Sequence, residues 1–341
     1  MVHAIFNIRP FVIFPGVRII SCAGLVKCIR LYGIFPGLSH SRGFMEYKTL
    51  GKSSLKISTI SMGCMSLGND AAANEKLLHA ARDRGINFFD TADLYGKGLN
   101  EEHLGNAFRS QRDNVFLATK GGNAWRADGS GWDWNASRDY IIRAAEQSLK
   151  RLGTDYIDLY QLHGGTLDDP IDETIEAFET LCKQGKIRYY GISSIRPNVI
   201  RQYVERSNIV SVMMQYSLLD RRPEESLFPL LQQHNIGVLA RGTLASGLLV
   251  NKPAKPYLNH TEADVSRAAQ SVQKLTDATH TATAVALQFT LRQPAVTAAM
   301  VGIRTSEQLD QALNAAATPL AEADVKALGS ILAANEYKDH R

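Results

Sequence analysis

The chain has 341 residues, 45% hydrophobic and 21% charged, an ordinary globular balance with room for two average domains or one large α/β barrel. Its formal charge of +4 is misleading, because residues 1–44 hold Arg9, Arg18, Lys27, Arg30 and Arg42 and no acid. Without these five the remaining 33 basic residues face 34 acidic ones, a net of −1, which excludes nucleic acid as an expected partner.

Residues 1–44 are apolar, basic and acid-free, as targeting segments are. Pro15 and Arg18 break the apolar run 11–26, so it makes a poor membrane helix. Met45 then opens a stretch that reads at once as folded. Residues 1–44 are therefore expected to be a mis-assigned extension of a chain starting at Met45, or else an organellar presequence. Residues 45–341 are expected to be one domain without membrane insertion. Cys22 and Cys28 lie in the extension, and Cys64 and Cys182 lie far apart in the body. No metal site and no disulfide framework is expected, only small thiols in a reducing, cytoplasmic compartment.

Residues 45–58 carry two short alternating runs around Leu50-Gly51-Lys52-Ser53, a hairpin signal. Residues 59–64 form the first expected buried strand. A strand–loop–helix unit then repeats. Strands are expected at 86–89, 115–119, 157–162, 188–192, 211–215, 237–240 and 297–301. Helices are expected at 74–84, 100–108, 137–152, 171–184, 197–205, 224–234 and 261–292, each between two strands. Two further helices, 306–316 and 322–334, close the chain. Eight strands alternating with helices predict an α/β protein built as a single (β/α)8 TIM barrel, with an N-terminal β-hairpin and extra C-terminal helices. The absence of GxGxxG after the first strand counts against a Rossmann domain.

Three successive strands end on chemistry. Asp90 follows 86–89 with Tyr95 on the loop beyond, Lys120 follows 115–119, and His163 follows 157–162. Barrel chemistry sits outside the carboxyl ends of the strands. A Lys ammonium favours a neighbouring phenolate, and Asp90 is the counter-charge such a lysine needs. His163 can hydrogen-bond the reacting oxygen. The set suits a carbonyl oxygen becoming an alkoxide. No Ser-His or Cys-His pair points to acyl transfer. No side chain delivers hydride, so a nicotinamide is implied. The loop 121–136 carries Trp125, Trp132 and Trp134, an aromatic lid suited to an apolar or flat substrate end. Taken singly, Asp90 reads as a turn residue, His163 as a core histidine, Arg304 as a helix-start charge and the tryptophans as rim packing. His79, His103, His234, His260 and His280 suggest no role.

The motifs FFDTADLYG, TKGG and SLKRLGTDYIDLYQLH together resemble the aldo-keto reductase superfamily, from about Met45 to about Ala316. The resemblance implies a (β/α)8 barrel that binds NADP(H) and reduces small-molecule carbonyls. It implies a catalytic tetrad of Asp90, Tyr95, Lys120 and His163, with Tyr95 the general acid, Lys120 and Asp90 its tuning pair and His163 the donor that orients the carbonyl. Ser193 and Ser194 match a Ser-Asn pair that holds the nicotinamide carboxamide, with Ser where Asn is usual. Tyr216 matches the aromatic that stacks on the nicotinamide. The family's Gln three residues earlier is Met213 here, while Gln215 adjoins the tyrosine, so either could reach the carboxamide. Arg241, Gly242, Thr243, Leu244, Ser246 and Gly247 match the pyrophosphate loop. Gly302, Arg304 and Gln308 match the grip on the 2′-phosphate, and Gln311-Ala312 stands where Glu-Asn is usual for adenine. Two other readings remain: a regulatory binding protein like the potassium-channel β subunits, and an aldolase using Lys120 as a Schiff base. Oligomeric state and the individual substrate are not specified by these residues.

Overall fold

Eight short apolar runs pair side by side into one closed, all-parallel barrel, and the amphipathic segments between them coil against its outside. A computed structural model describes residues 45–341, so the expectations placed on residues 1–44 lie outside the described residues. The elements begin with the antiparallel hairpin β1 (Tyr47–Thr49) and β2 (Lys56–Ser58). Next come β3 (Ile60–Gly63), α1 (Ala71–Asp83), β4 (Phe88–Asp90), α2 (Leu99–Phe108) and β5 (Phe116–Gly121). A second small hairpin follows, β6 (Asn123–Trp125) with β7 (Trp132–Trp134), before α3 (Arg138–Leu152) and β8 (Ile157–Leu162). Then α4 (Ile171–Lys183), β9 (Ile187–Ser193), α5 (Pro197–Arg206) and β10 (Ser211–Gln215) continue the alternation. The last third holds α6 (Leu227–Gln233), β11 (Gly237–Arg241), α7 (Glu262–Lys274) and α8 (Ala282–Leu291). It ends with β12 (Val296–Gly302), α9 (Ser306–Ala317) and α10 (Glu322–Ser330).

The barrel order is β3-β4-β5-β8-β9-β10-β11-β12, and β12 closes onto β3 with Ala299 opposite Ile60. Most strand residues are buried, whichever face they are on, which is why the runs are predominantly apolar. Phe88, Ala118, Leu159, Met213, Leu239 and Ala298 fill the interior. Leu50, Leu55 and Ile57 of the first hairpin join that cluster, so the hairpin plugs the barrel floor. Gly51 makes this fit possible: at φ +52° it lies so close that a Cβ would stand 2.3 Å from the Val210 carbonyl oxygen. A second, larger core lies between the outward strand faces and the helices.

Several boundaries differ from expectation, each for a local reason. Asp90 belongs to β4 and Lys120 to β5, because polar side chains facing one another across the barrel mouth keep both strands in the ladder. The single helix expected over 261–292 is two. Asp277 accepts hydrogen bonds from the backbone N–H groups of Thr279 and His280, and Thr281 then caps α8 through the Ala284 N–H. The helix expected over 224–234 is shortened, since a 3-10 turn at Arg222–Glu224 precedes α6 and Ser226 leaves helical geometry between them. The helix expected over 74–84 starts earlier, at Ala71, capped by Asp70. The helix expected to reach 334 stops at Ser330. The loop 121–136 is in large part the hairpin β6–β7.

Candidate active site

Period-two alternation along each strand decides what reaches the barrel mouth. On β8, Leu159 and Gln161 point inward with His163 next beyond, while Tyr160 and Leu162 pack outward. On β10, Met213 points inward and Met214 outward.

The carboxyl ends of β4, β5 and β8 bring Asp90, Lys120 and His163 to one point, and the turn after β4 adds Tyr95. Lys120 Nζ donates to Asp90 Oδ2 at 2.5 Å and to the Thr91 carbonyl at 2.6 Å. Both partners are almost wholly buried. Burial works against the lysine's charge, but the Asp90 and Tyr95 partners outweigh it and raise its pKa. Burial likewise pushes the Asp90 carboxyl up, and Lys120 pulls it back. Gln161, which sequence reasoning left without a role inside its motif, donates to Asp90 Oδ1 at 3.1 Å. Lys120 Nζ stands 5.1 Å from the Tyr95 ring centroid, and the Tyr95 ring touches that of His163. Burial, then Lys120 and Arg241, lower the His163 pKa to about 3, so the imidazole is neutral at pH 7. Its Nδ1 is buried and has no hydrogen-bond partner among the described residues.

A buried polar layer backs the Tyr95 turn. The Asp93 N–H donates to the Lys120 carbonyl at 3.2 Å, tying the turn to β5. Glu101 accepts from Thr119 Oγ1 and from Arg151 Nε, both at 2.6 Å. The Arg151 charge also acts on Asp93, without an ion pair between them. Burial, then Glu101, push its carboxyl up to about 7.

A cavity of about 960 Å³ opens from the four residues. The ends of β9, β10, β11 and β12 and the segments just beyond contribute Ser193, Ser194, Met213, Gln215, Arg241, Gly242, Ser246 and Gly302 to its lining, and Trp132, Trp134, Thr166, Ile195 and Arg196 complete it. Met213 and Gln215 both reach it. Gln215 is held by Tyr257, whose hydroxyl accepts from Gln215 Nε2 at 2.7 Å. The benzo edge of Trp134 packs against Gly122 and Gly164, which have positive φ and no side chain; a Cβ at Gly122 would stand 2.7 Å from its ring. Its indole N–H donates to Asp169 Oδ1.

A second cavity of about 520 Å³ is lined by Thr243, Leu244, Gly247, Lys252, Arg304, Gln308 and Gln311. The two share Gly242, Ser246, Met300 and Gly302, so they form one elongated groove. This groove fits a dinucleotide: glycine backbone lines its middle, cations stand at its far end, and buried Ser66 Oγ beside Gly302 lacks a partner among the described residues.

Two expectations are corrected. Tyr216 does not face the cavity. Following inward Gln215, it points outward, nearly fully buried between Phe228 and Phe289, with its hydroxyl on Glu224 Oε1 at 2.7 Å. The aromatic that lines the cavity in contact with Gln215 is Tyr257, which no local signal marked. Trp125 sits opposite Trp132 at the outer end of the β6–β7 hairpin, with Lys97 Nζ 5.1 Å from its ring, and does not line the cavity.

Comparison with known proteins agrees with this architecture. A family model described as the aldo/keto reductase family matches residues 59–333. The chain is 49% identical over 307 residues to "Uncharacterized oxidoreductase YqkF" of Bacillus subtilis (strain 168), covering 87% of this chain and 100% of that one. It is 34% identical over 228 residues to "Aldo-keto reductase yakc [NADP(+)]" of Schizosaccharomyces pombe, covering 64% of this chain and 67% of that one. Among solved structures, the holo form of aldo-keto reductase AKR11C1 from Bacillus halodurans superposes with a TM-score of 0.82 at 45% identity, covering 87% of this chain and 100% of that one.

Proposed function

The chain belongs to the aldo/keto reductase family of oxidoreductases, and we propose that it reduces aldehyde or ketone carbonyls to alcohols with NADPH, Tyr95 being the general acid. The observation that carries this reading is the meeting of Asp90, Tyr95, Lys120 and His163 at the inner end of a groove that continues to Arg304.

The groove supports the cofactor assignment. Ser193, Ser194 and Gln215 would hold the carboxamide end. Arg241, Gly242, Thr243, Leu244, Ser246 and Gly247 would hold the pyrophosphate. Gly302, Arg304, Gln308 and Gln311 would hold the adenosine end, Arg304 favouring the 2′-phosphate as a charge-assisted donor. When bound, NADPH supplies hydride to a carbonyl carbon. The protein's own part is the proton. Tyr95 gives its hydroxyl proton to the carbonyl oxygen as charge grows there. Lys120, held by Asp90, stabilises the phenolate left behind. Asp90 stays fixed because Gln161 occupies its other oxygen. Neutral His163 contributes a hydrogen bond to the same oxygen without competing as a charged acid. Trp132 and Trp134 wall the substrate side and exclude water.

The free thiols of Cys64 and Cys182 support a reducing compartment, the cytoplasm in this reading. Among the described residues, no helix is long and apolar enough to cross a membrane. The test is aldehyde-dependent consumption of NADPH by the purified chain across aldehydes, ketones and sugars. No turnover with any carbonyl would overturn the proposal.

A further inference from the structure

The charges lining the large cavity are Asp90, Lys120, Arg196 and Arg241. Asp90 and Lys120 neutralise each other at 2.5 Å. Arg241 leans on Gln215, its guanidinium 3.3 Å from Oε1, on the side assigned to the cofactor. Arg196 remains. It lies three residues beyond the end of β9 and is the N-cap residue of α5. Its guanidinium donates to the Gly165 carbonyl, which fixes it against the loop beyond His163. Among the described residues it forms no ion pair. Of the two acids of that same loop, Asp169 is occupied by Thr166 and by the Trp134 indole, Asp168 is exposed, and neither lines the cavity. The same cavity is also lined by apolar or weakly polar Ile195, Thr166, Trp132 and Trp134. His340 lines the cavity beside it, held at the start of α5 by its carbonyl, which accepts from the Asn198 N–H at 2.9 Å.

A fixed, unpaired guanidinium in an aromatic-walled cavity without a free carboxylate is an anion receptor. We propose that the substrate is an aldehyde or ketone acid, whose carboxylate Arg196 receives while its carbonyl meets Tyr95. This rests on the reductase reading above. The planar guanidinium offers its remaining N–H donors to the carboxylate, and Trp132 and Trp134 pack the apolar spacer between the two groups. Bonds of this charge-assisted kind correspond to a preference on the order of 10- to 100-fold over a neutral analogue.

The experiment compares 4-carboxybenzaldehyde with its neutral methyl ester at saturating NADPH, using the full chain. The acid should have the higher kcat/KM by at least about ten-fold, through KM, and its KM should rise with salt. Arg196→Gln keeps a donor for the Gly165 carbonyl but removes the charge, and should bring the acid-to-ester ratio close to one. Arg196→Lys should restore part of it. A wild-type ratio at or below one, or a ratio that Arg196→Gln leaves in place, overturns the proposal. Binding of 4-(hydroxymethyl)benzoate, followed by tryptophan fluorescence, needs no turnover. If neither aldehyde is reduced, charge-dependent binding of this ligand at Arg196 decides the receptor by itself, loss in Arg196→Gln supporting it and no loss refuting it, while the reductase reading fails only if no carbonyl at all is turned over.

Discussion

The Tyr95 and His163 rings meet edge to face, centroids 5.8 Å apart and planes at 86°, across the gap between the β4 turn and the end of β8. In the proposed reaction the contact puts a phenol and a neutral imidazole on one side of the carbonyl oxygen; the Lys120 ammonium, 5.1 Å from the phenol ring centroid, disfavours a second cation at His163. Tyr95→Phe keeps the ring contact and removes the proton. Turnover should fall roughly 10²- to 10⁴-fold while NADPH affinity is retained, measured by steady-state kinetics and fluorescence titration. Near-normal turnover on an aldehyde with hydride transfer rate-limiting would assign the proton to His163.

Lys120 is the next link. Lys120→Met leaves Asp90 buried without its ion-pair partner, so both turnover and stability should drop, the latter by about 3–5 kcal/mol. Adding Asp90→Asn removes the orphaned charge. The double variant should regain stability in urea melts without regaining activity. Recovery of both would make the pair purely structural.

Arg304 stands in the far cavity with its backbone N–H on Gln308 Oε1 at 2.9 Å. Arg304→Ala should erase a preference for NADPH over NADH worth about 1.5–3 kcal/mol, with NADH affinity little changed. An equal loss for both cofactors would make the residue a structural one.

Two buried groups pull stability in opposite directions with pH. Asp93 is raised to about 7 in the fold, so its contribution is present at low pH and lost as pH climbs from its unfolded value near 3.8 through 7. His163 is depressed from 6.5 to about 3, so its contribution is present above 6.5 and lost as pH falls through 3. Asp93→Asn should therefore raise Tm at pH 8 more than at pH 5. His163→Gln should flatten the acid limb of the profile. Thermal melts across pH 4–8 check both, and parallel shifts at every pH would refute the assignment.

Tyr216 gives a cofactor-independent check. Tyr216→Phe loses the bond to Glu224 and should cost about 1 kcal/mol of stability with NADPH affinity within about two-fold of wild type. A large loss of affinity would return it to the cofactor site.

Strand and helix periods made the barrel legible, because each parallel strand is a short, predominantly apolar run between helical segments. Asp90, Lys120 and His163 were legible as the polar residues ending such runs. What misled was side, not position. The alternation that turns Gln215 in necessarily turns Tyr216 out, and a motif match carries no such parity. Residues brought in from afar left no local trace. Tyr257 comes from a loop, His340 from the last residues, and Arg151 reaches Glu101 from another helix. The break between α7 and α8 was hidden because Asp277, Thr279 and Thr281 act through their own backbone, which periodicity does not register.

The seam where β12 pairs with β3 has a cost in time. Ile60 waits for Ala299, about 240 residues later in the chain, before its second edge is covered. At about 5–20 residues per second of synthesis, that edge stays open for roughly 10–50 s on a ribosome-bound chain. Until β12 is made, the edge of β3 from Ile60 to Gly63 that pairs with Ala299–Gly302 has no ladder partner. The nascent protein thus presents an unpaired apolar strand for most of its synthesis, and its yield in a cell depends on whatever shields that strand until the last of the eight arrives.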